Sequence, residues 1–174
     1  QDYDASNLNS ETSAGAAYIF KKDINGVVAL GGGSAIDSAK VLAATYGYDG
    51  SLYDLFGENT LTSRTLPLIV IPTTAGTGSE VTIVSVVSDP VTHQKTPIID
   101  PKLVPMMAAL DGAMMLGLPA AVTAATGMDA LTHAIESYIS VNATEETDAY
   151  GTAATRLIME NLETAVTDGS NLEA

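Results

Sequence analysis

Apolar residues in this chain come in short runs closed by glycine or proline. Residues 27–30 run into Gly31-Gly32-Gly33, residues 66–71 into Pro72 and a Thr/Gly stretch, and residues 106–110 end at Asp111. Residues 81–87 are rich in β-branched side chains. Continuous runs of this kind suit strands buried on both faces, as in a parallel sheet. Ile36, Ala39, Lys40 and Ala43 share one helical face and predict a helix over 35–46, directly after the glycines. Strand, helix and strand in that order read as α/β. The polar stretch 88–95 reads as a hairpin rather than a crossover.

Beyond Asp111 the pattern changes. Pro119 stands where a helix would start, since proline at the first helical position forfeits no hydrogen bond. Helical periodicity then covers 121–140. After the break at Asn142-Ala143-Thr144 it resumes over about 147–166. These patterns predict an α/β part over 1–110 and the start of an all-helical part over 111–174. No internal repeat or low-complexity tract is visible.

Composition narrows the function classes. Apolar residues make up 46% and charged residues 16%, with a mean hydropathy of +0.21, which excludes a disordered chain. Without cysteine there is no disulfide scaffold, thiolate zinc site or thiol nucleophile. Asp and Glu number 21 against 7 Lys and Arg, a net charge of −14. That balance argues against nucleic acid and against an anionic membrane surface as partners. The stretch 103–128 carries only Asp111 as a charge, but two prolines and three glycines break it, so it reads as a strand, a loop and a helix start rather than a membrane span. The acidic opening Gln1-Asp2-Tyr3-Asp4 is unlike a signal peptide, which places the chain in the cytoplasm. The chain does not begin with methionine, which fits processing or a piece of something longer.

Three constellations could carry chemistry. Gly31-Gly32-Gly33-Ser34-Ala35-Ile36-Asp37 joins a strand to a helix. Its glycines let backbone N–H groups approach an anion at the positive end of the helix. A plain capped turn explains the residues equally well, with Ser34 as N-cap and Asp37 completing a capping box. Pro72-Thr73-Thr74-Ala75-Gly76-Thr77-Gly78-Ser79-Glu80 follows a strand, where open α/β sheets bind ligands. Taken by itself, it reads more simply as a loop whose hydroxyls bond to their own backbone. Asp129 and His133 stand at i and i+4, on one face of a helix, and could share a divalent ion. An intrahelical hydrogen bond is the commoner use of such a pair. Glu136 lies one turn further on. The only other histidine, His93, falls in the polar hairpin.

Together, and in this order, these strings resemble the iron-containing (group III) alcohol dehydrogenases. The matching strings are Ala29-Leu30-Gly31-Gly32-Gly33-Ser34-Ala35-Ile36-Asp37-Ser38-Ala39-Lys40, then the threonine loop through Val81-Thr82, then Thr126-Gly127-Met128-Asp129-Ala130-Leu131-Thr132-His133-Ala134-Ile135-Glu136. The resemblance implies part of a Rossmann-like nucleotide-binding domain followed by the first helices of a metal-binding domain. It implies NAD or NADP as cofactor and Fe²⁺, alternatively Zn²⁺, as metal. Gly32, Gly33 and Ser34 would meet the pyrophosphate, with Asp37 nearby. Thr73, Thr74 and Thr77 would line the cofactor, and Lys95 would bond its ribose. Met114, Met115, Leu116, Gly117 and Leu118 would form a loop under the nicotinamide. Asn9 falls where the family carries the Asn of an Asn-Pro-Thr string, though Ser10 follows it here. Asp129 and His133 would be the first two metal ligands, and no catalytic residue is implied beyond the metal site.

The same resemblance implies a homo-oligomer converting a small primary alcohol and its aldehyde. Members are longer than this chain. They open with a β-α-β segment and draw two further metal-binding histidines from later helices, so the chain resembles the middle of such an enzyme. Two other readings stand beside this one. The first is a catalytically silent dinucleotide-binding or assembly module. The second is a metal-dependent lyase of the related dehydroquinate-synthase fold, which the string 127–136 matches less well.

Overall fold

The structure, a computed structural model, describes the backbone of Ala17 and Tyr18 and residues 25–62, 65–89 and 92–174. Asn9 lies outside the described residues. The chain divides into two compact units, residues 1–72 with 79–109 and residues 73–78 with 110–174.

The first unit holds two sheets. In one, the strands β1 (Ala17–Tyr18), β2 (Val27–Gly31), β4 (Leu68–Pro72) and β7 (Met107–Ala108) lie in the order β1-β2-β4-β7. β2, β4 and β7 are parallel, and the β2–β4 register runs from Val27↔Leu68 to Gly31↔Pro72. The other sheet has the order β3-β6-β5, from β3 (Gly57–Glu58), β5 (Val84–Ser88) and β6 (Lys95–Ile99). β5 and β6 form the expected polar hairpin.

Helix α1 (Gly33–Thr45) connects β2 to the rest of this unit. It buries Ala35, Ile36, Ala39, Lys40, Ala43 and Ala44, an i, i+4 stripe of mostly small residues that lets the helix sit close to the sheet. Ile36, Ala39 and Ala43 meet Val27, Ala29, Leu68 and Val70 in one apolar cluster. Ala44 joins Leu55, Leu61, Ile98 and Leu103 in a second. Asp100 is buried and accepts amide hydrogen bonds from Leu61 (3.1 Å) and Lys102 (2.9 Å). Burial pushes its carboxyl up, but those amides and the Lys102 ammonium outweigh it and hold the group below the usual carboxylate range.

Several expectations need correction. The parallel strands are not buried on both faces: α1 covers one, and Val28 on the other is 36% exposed. Only Val84–Ser88 of the β-branched run forms a strand, and it belongs to the second sheet. Thr82, just before it, accepts the Lys40 ammonium at its carbonyl. The run 106–110 contributes a two-residue edge strand, with Met106 and Leu110 exposed. Pro119 caps its helix from outside rather than occupying the first turn.

The second unit is built on α2 (Ala120–Ile139) and α3 (Glu145–Thr167), close to the predicted spans. Thr144 caps α3 reciprocally with Thr147. Two glycines let the helices approach. A Cβ on Gly151 would stand 2.8 Å from the Ala134 carbonyl oxygen, and one on Gly127 would run into the Leu162 side chain. The threonine loop packs in this unit rather than with the α/β part, because Gly76 lies on α2 at Thr126, leaving no room for a side chain. Among the described residues no helix is long and apolar enough to cross a membrane.

Candidate functional site

The glycine turn follows directly from β2, where Gly31 takes a φ of 154° that side-chain-bearing residues rarely adopt. α1 starts at Gly33 with Gly32 as N-cap, two residues earlier than a Ser34 cap requires. The capping-box reading is therefore corrected. No side chain caps the helix, and its first turn carries no acidic residue. An uncapped N-terminus keeps unsatisfied N–H groups and the positive end of the helix dipole, which suits an anion. This is the test a dinucleotide pyrophosphate has to pass at Gly32, Gly33 and Ser34, and the residues fit it.

Asp37 does not cap. Its Oδ1 accepts the Ser79 hydroxyl at 2.6 Å and its Oδ2 accepts the Val86 amide at 3.0 Å. Sequence reasoning gave Lys40 no role, although its place among Ile36, Ala39 and Ala43 already put a cation on an apolar face. It is buried, and its ammonium donates to the carbonyls of Thr82 (2.9 Å) and Val84 (2.8 Å) and to the Thr82 hydroxyl (3.0 Å). Burial lowers its pKa to about 8, against the opposing pull of Asp37 and Glu80.

Gly31 and Pro72 are paired residues, so β2 and β4 end side by side, and Thr73 follows Pro72 directly. Thr73 and Thr74 are half-buried and Thr77 is exposed. Within the second unit this loop meets the 114–118 stretch. Ala75, Met115, Leu116 and Leu118 line a cavity of about 400 Å³ together with Thr126 and Gly127 of α2. Met114 is exposed at the end of a 3₁₀ turn, which Asp111 caps through the Ala113 amide, and Gly117 takes a φ of 81°. Lys95 is exposed at the head of β6, beyond a turn in which His93 adopts a φ of 58°.

Asp129 and His133 are both on α2, with Nε2 of His133 3.7 Å from Oδ1 of Asp129. That is too long for a hydrogen bond. Two ligands about 2.1 Å from one tetrahedral ion stand about 3.4 Å apart, slightly closer than this loose i,i+4 pair. Both side chains are about half exposed, and neither lines the cavity. Among the described residues no third His, Cys, Asp or Glu joins them, Glu136 included.

The iron-containing alcohol dehydrogenase family matches residues 4–112, and its C-terminal family matches residues 123–174. The NAD-dependent methanol dehydrogenase of Bacillus methanolicus is 42% identical over 157 residues, covering 90% of this chain and 41% of that protein. The crystal structure of a 1,3-propanediol oxidoreductase superposes with a TM-score of 0.82 at 45% identity, covering 86% of this chain and 39% of the other. A sulfoacetaldehyde reductase from Bifidobacterium kashiwanohense, solved with NAD⁺, gives 0.79 at 38% identity, covering 86% and 40%. This chain spans about 41% of the length of the curated relatives it matches. With both family matches lying along one chain, and the glycine turn and the Asp129–His133 pair falling within them, the protein belongs to the iron-containing alcohol dehydrogenase family.

Proposed function

We propose that this chain supplies the dinucleotide-binding turn and the first two metal ligands of an oxidoreductase interconverting a primary alcohol and its aldehyde. The observation that carries this reading is the uncapped N-terminus of α1 at the end of a parallel strand. The chain has few cations to offer a phosphate, and this turn provides positive potential without one. The NAD dependence of the methanol dehydrogenase and the NAD⁺ in the sulfoacetaldehyde reductase structure support a nicotinamide dinucleotide as the anion.

The backbone N–H groups of Gly32, Gly33 and Ser34 bind the pyrophosphate. The hydroxyls of Thr73, Thr74 and Thr77 take polar oxygens of the same cofactor, and Lys95 takes its ribose. Met114, Met115, Leu116, Gly117 and Leu118 give an apolar wall along the nicotinamide that excludes water. Asp129 and His133 hold the divalent ion from one side. When bound, Fe²⁺ or Zn²⁺ supplies a charge that favours the ionised alcohol, and the nicotinamide supplies the hydride acceptor.

The test is Gly33→Val, which puts a branched side chain where the pyrophosphate must approach. In a full-length context, NADH titration followed by nicotinamide fluorescence should show at least a tenfold loss of affinity, with metal content unchanged. Unaltered NADH affinity overturns the assignment. A silent dinucleotide-binding module is the second reading, favoured by the two-donor set among the described residues. NADH binding without stoichiometric metal in the 174-residue chain supports it for these residues by themselves.

A further inference from the structure

We infer that Asp37 and Lys40 are positioning residues, a latch that holds the segment 79–86 against α1 and so fixes the trailing end of the threonine loop. The inference rests on the dinucleotide reading of the glycine turn and that loop. Asp37 and Lys40 stand at i and i+3 on α1, one turn in from the glycines. Everything they hold lies 42 to 49 residues further along the chain. The Asp37 carboxylate takes the Ser79 hydroxyl and the Val86 amide, and its own carbonyl takes the Ser85 hydroxyl at 2.9 Å. The Lys40 ammonium closes over Thr82 and Val84 between those points.

Ser79 is the first residue after the loop 73–78. The leading end of the loop is pinned because its neighbour Pro72 pairs with Gly31. The trailing end is pinned because Ser79 is bonded to Asp37. One helix therefore presents the glycine turn at its start and anchors the threonine loop one turn later. Burying an ammonium is costly, and here it is matched by three oxygens rather than a close carboxylate, an arrangement that fixes backbone geometry. This also reassigns Asp37. A carboxylate beside a pyrophosphate would repel it, and each of its oxygens already accepts a hydrogen bond from the segment 79–86.

The two roles predict opposite signs. As a neighbour of the cofactor, Asp37 would hinder anion binding, so Asp37→Ala would tighten NADH. As a latch, Asp37→Ala loosens the loop and weakens NADH by about tenfold, the scale of a charge-assisted hydrogen bond. Ser79→Ala removes one hydroxyl from the same link and is the gentler variant should Asp37→Ala fold poorly. It should weaken NADH threefold or more. The double variant should bind no more weakly than Asp37→Ala, because both changes break one link. NADH fluorescence titration reads all three, at a melting temperature well above that of the assay.

Tighter binding in Asp37→Ala, unchanged affinity in Ser79→Ala, or additive losses in the double variant each overturn the latch. Gly33→Val run alongside separates the two levels. If it loses NADH while the latch variants bind normally, only the latch is wrong. If it binds NADH normally, the dinucleotide reading itself is wrong.

Discussion

Substituting alanine at Gly151 and at Gly127 should give opposite results, although both are helix-interior glycines at the same helix–helix contact. Glycine to alanine inside a helix gains about 1 kcal/mol of backbone propensity. Against this stands the room for a methyl group. At Gly151 the new Cβ would lie 2.8 Å from the Ala134 carbonyl oxygen and 2.8 Å from the Ser137 hydroxyl, which is itself bonded to that carbonyl. A backbone oxygen inside α2 cannot step aside, so the helices must part. Overpacking costs about 1–3 kcal/mol, and against a fixed backbone oxygen it falls in the upper part of that range, about 2–3 kcal/mol, so the net loss should be about 1–2 kcal/mol. At Gly127 the obstacle is the end of the Leu162 side chain, which can rotate, so the propensity gain and the repacking cost should cancel to within about 1 kcal/mol. Urea denaturation followed by helical circular dichroism measures both. With a slope of about 2 kcal/mol/M, Gly151→Ala should lower the midpoint by about 0.5–1 M. Ala134 follows His133 directly, so the same variant should also weaken metal binding. A Gly151→Ala protein as stable as the parent would refute the close-approach argument.

Further outcomes follow from the same structure. In a full-length context, His133→Ala should abolish retention of Fe²⁺ or Zn²⁺ after dialysis, read by elemental analysis, while leaving NADH affinity unchanged. Lys40 titrates near 8 when folded and at its ordinary 10.5 when unfolded. Over that window the unfolded chain holds the extra proton, so stability should rise with pH by up to about 3 kcal/mol, at 1.36 kcal/mol per unit. Urea midpoints from pH 7.5 to 10.5 should show this rise in the parent, and it should be missing from Lys40→Met. Lys95→Ala should weaken NADH severalfold in fluorescence titration without changing metal content, because its side chain is exposed at the head of β6.

Local chemistry was readable wherever its cause was local. The glycines after an apolar run announced the β2–α1 turn, and the break at Thr144 announced a new helix because its cap is four residues long. Asp37 shows where that reasoning stops. Its spacing from Ser34 is that of a capping box, yet its partners are Ser79 and Val86, which no local rule can see. Thr82 lies outside the strand that the β-branched run suggested, and its carbonyl accepts from Lys40, 42 residues earlier in the chain. The Asp129–His133 pair was visible as a spacing. That it is set at 3.7 Å, beyond hydrogen-bond reach, required the rotamers.

The chain passes from the α/β unit to the helical one at Thr73, returns at Ser79 and departs again at Leu110. The units are thus stitched together, and no single cut separates them. A gene segment ending at residue 110 would encode a threonine loop without the helix on which Gly76 rests. A segment beginning at 111 would encode α2 with the ground around Thr126 uncovered. Exchange of parts among relatives faces the same constraint. A chimera joined near residue 110 must inherit a loop and a helix that suit each other at Gly76 and Thr126, so the two halves are bound to vary as a pair.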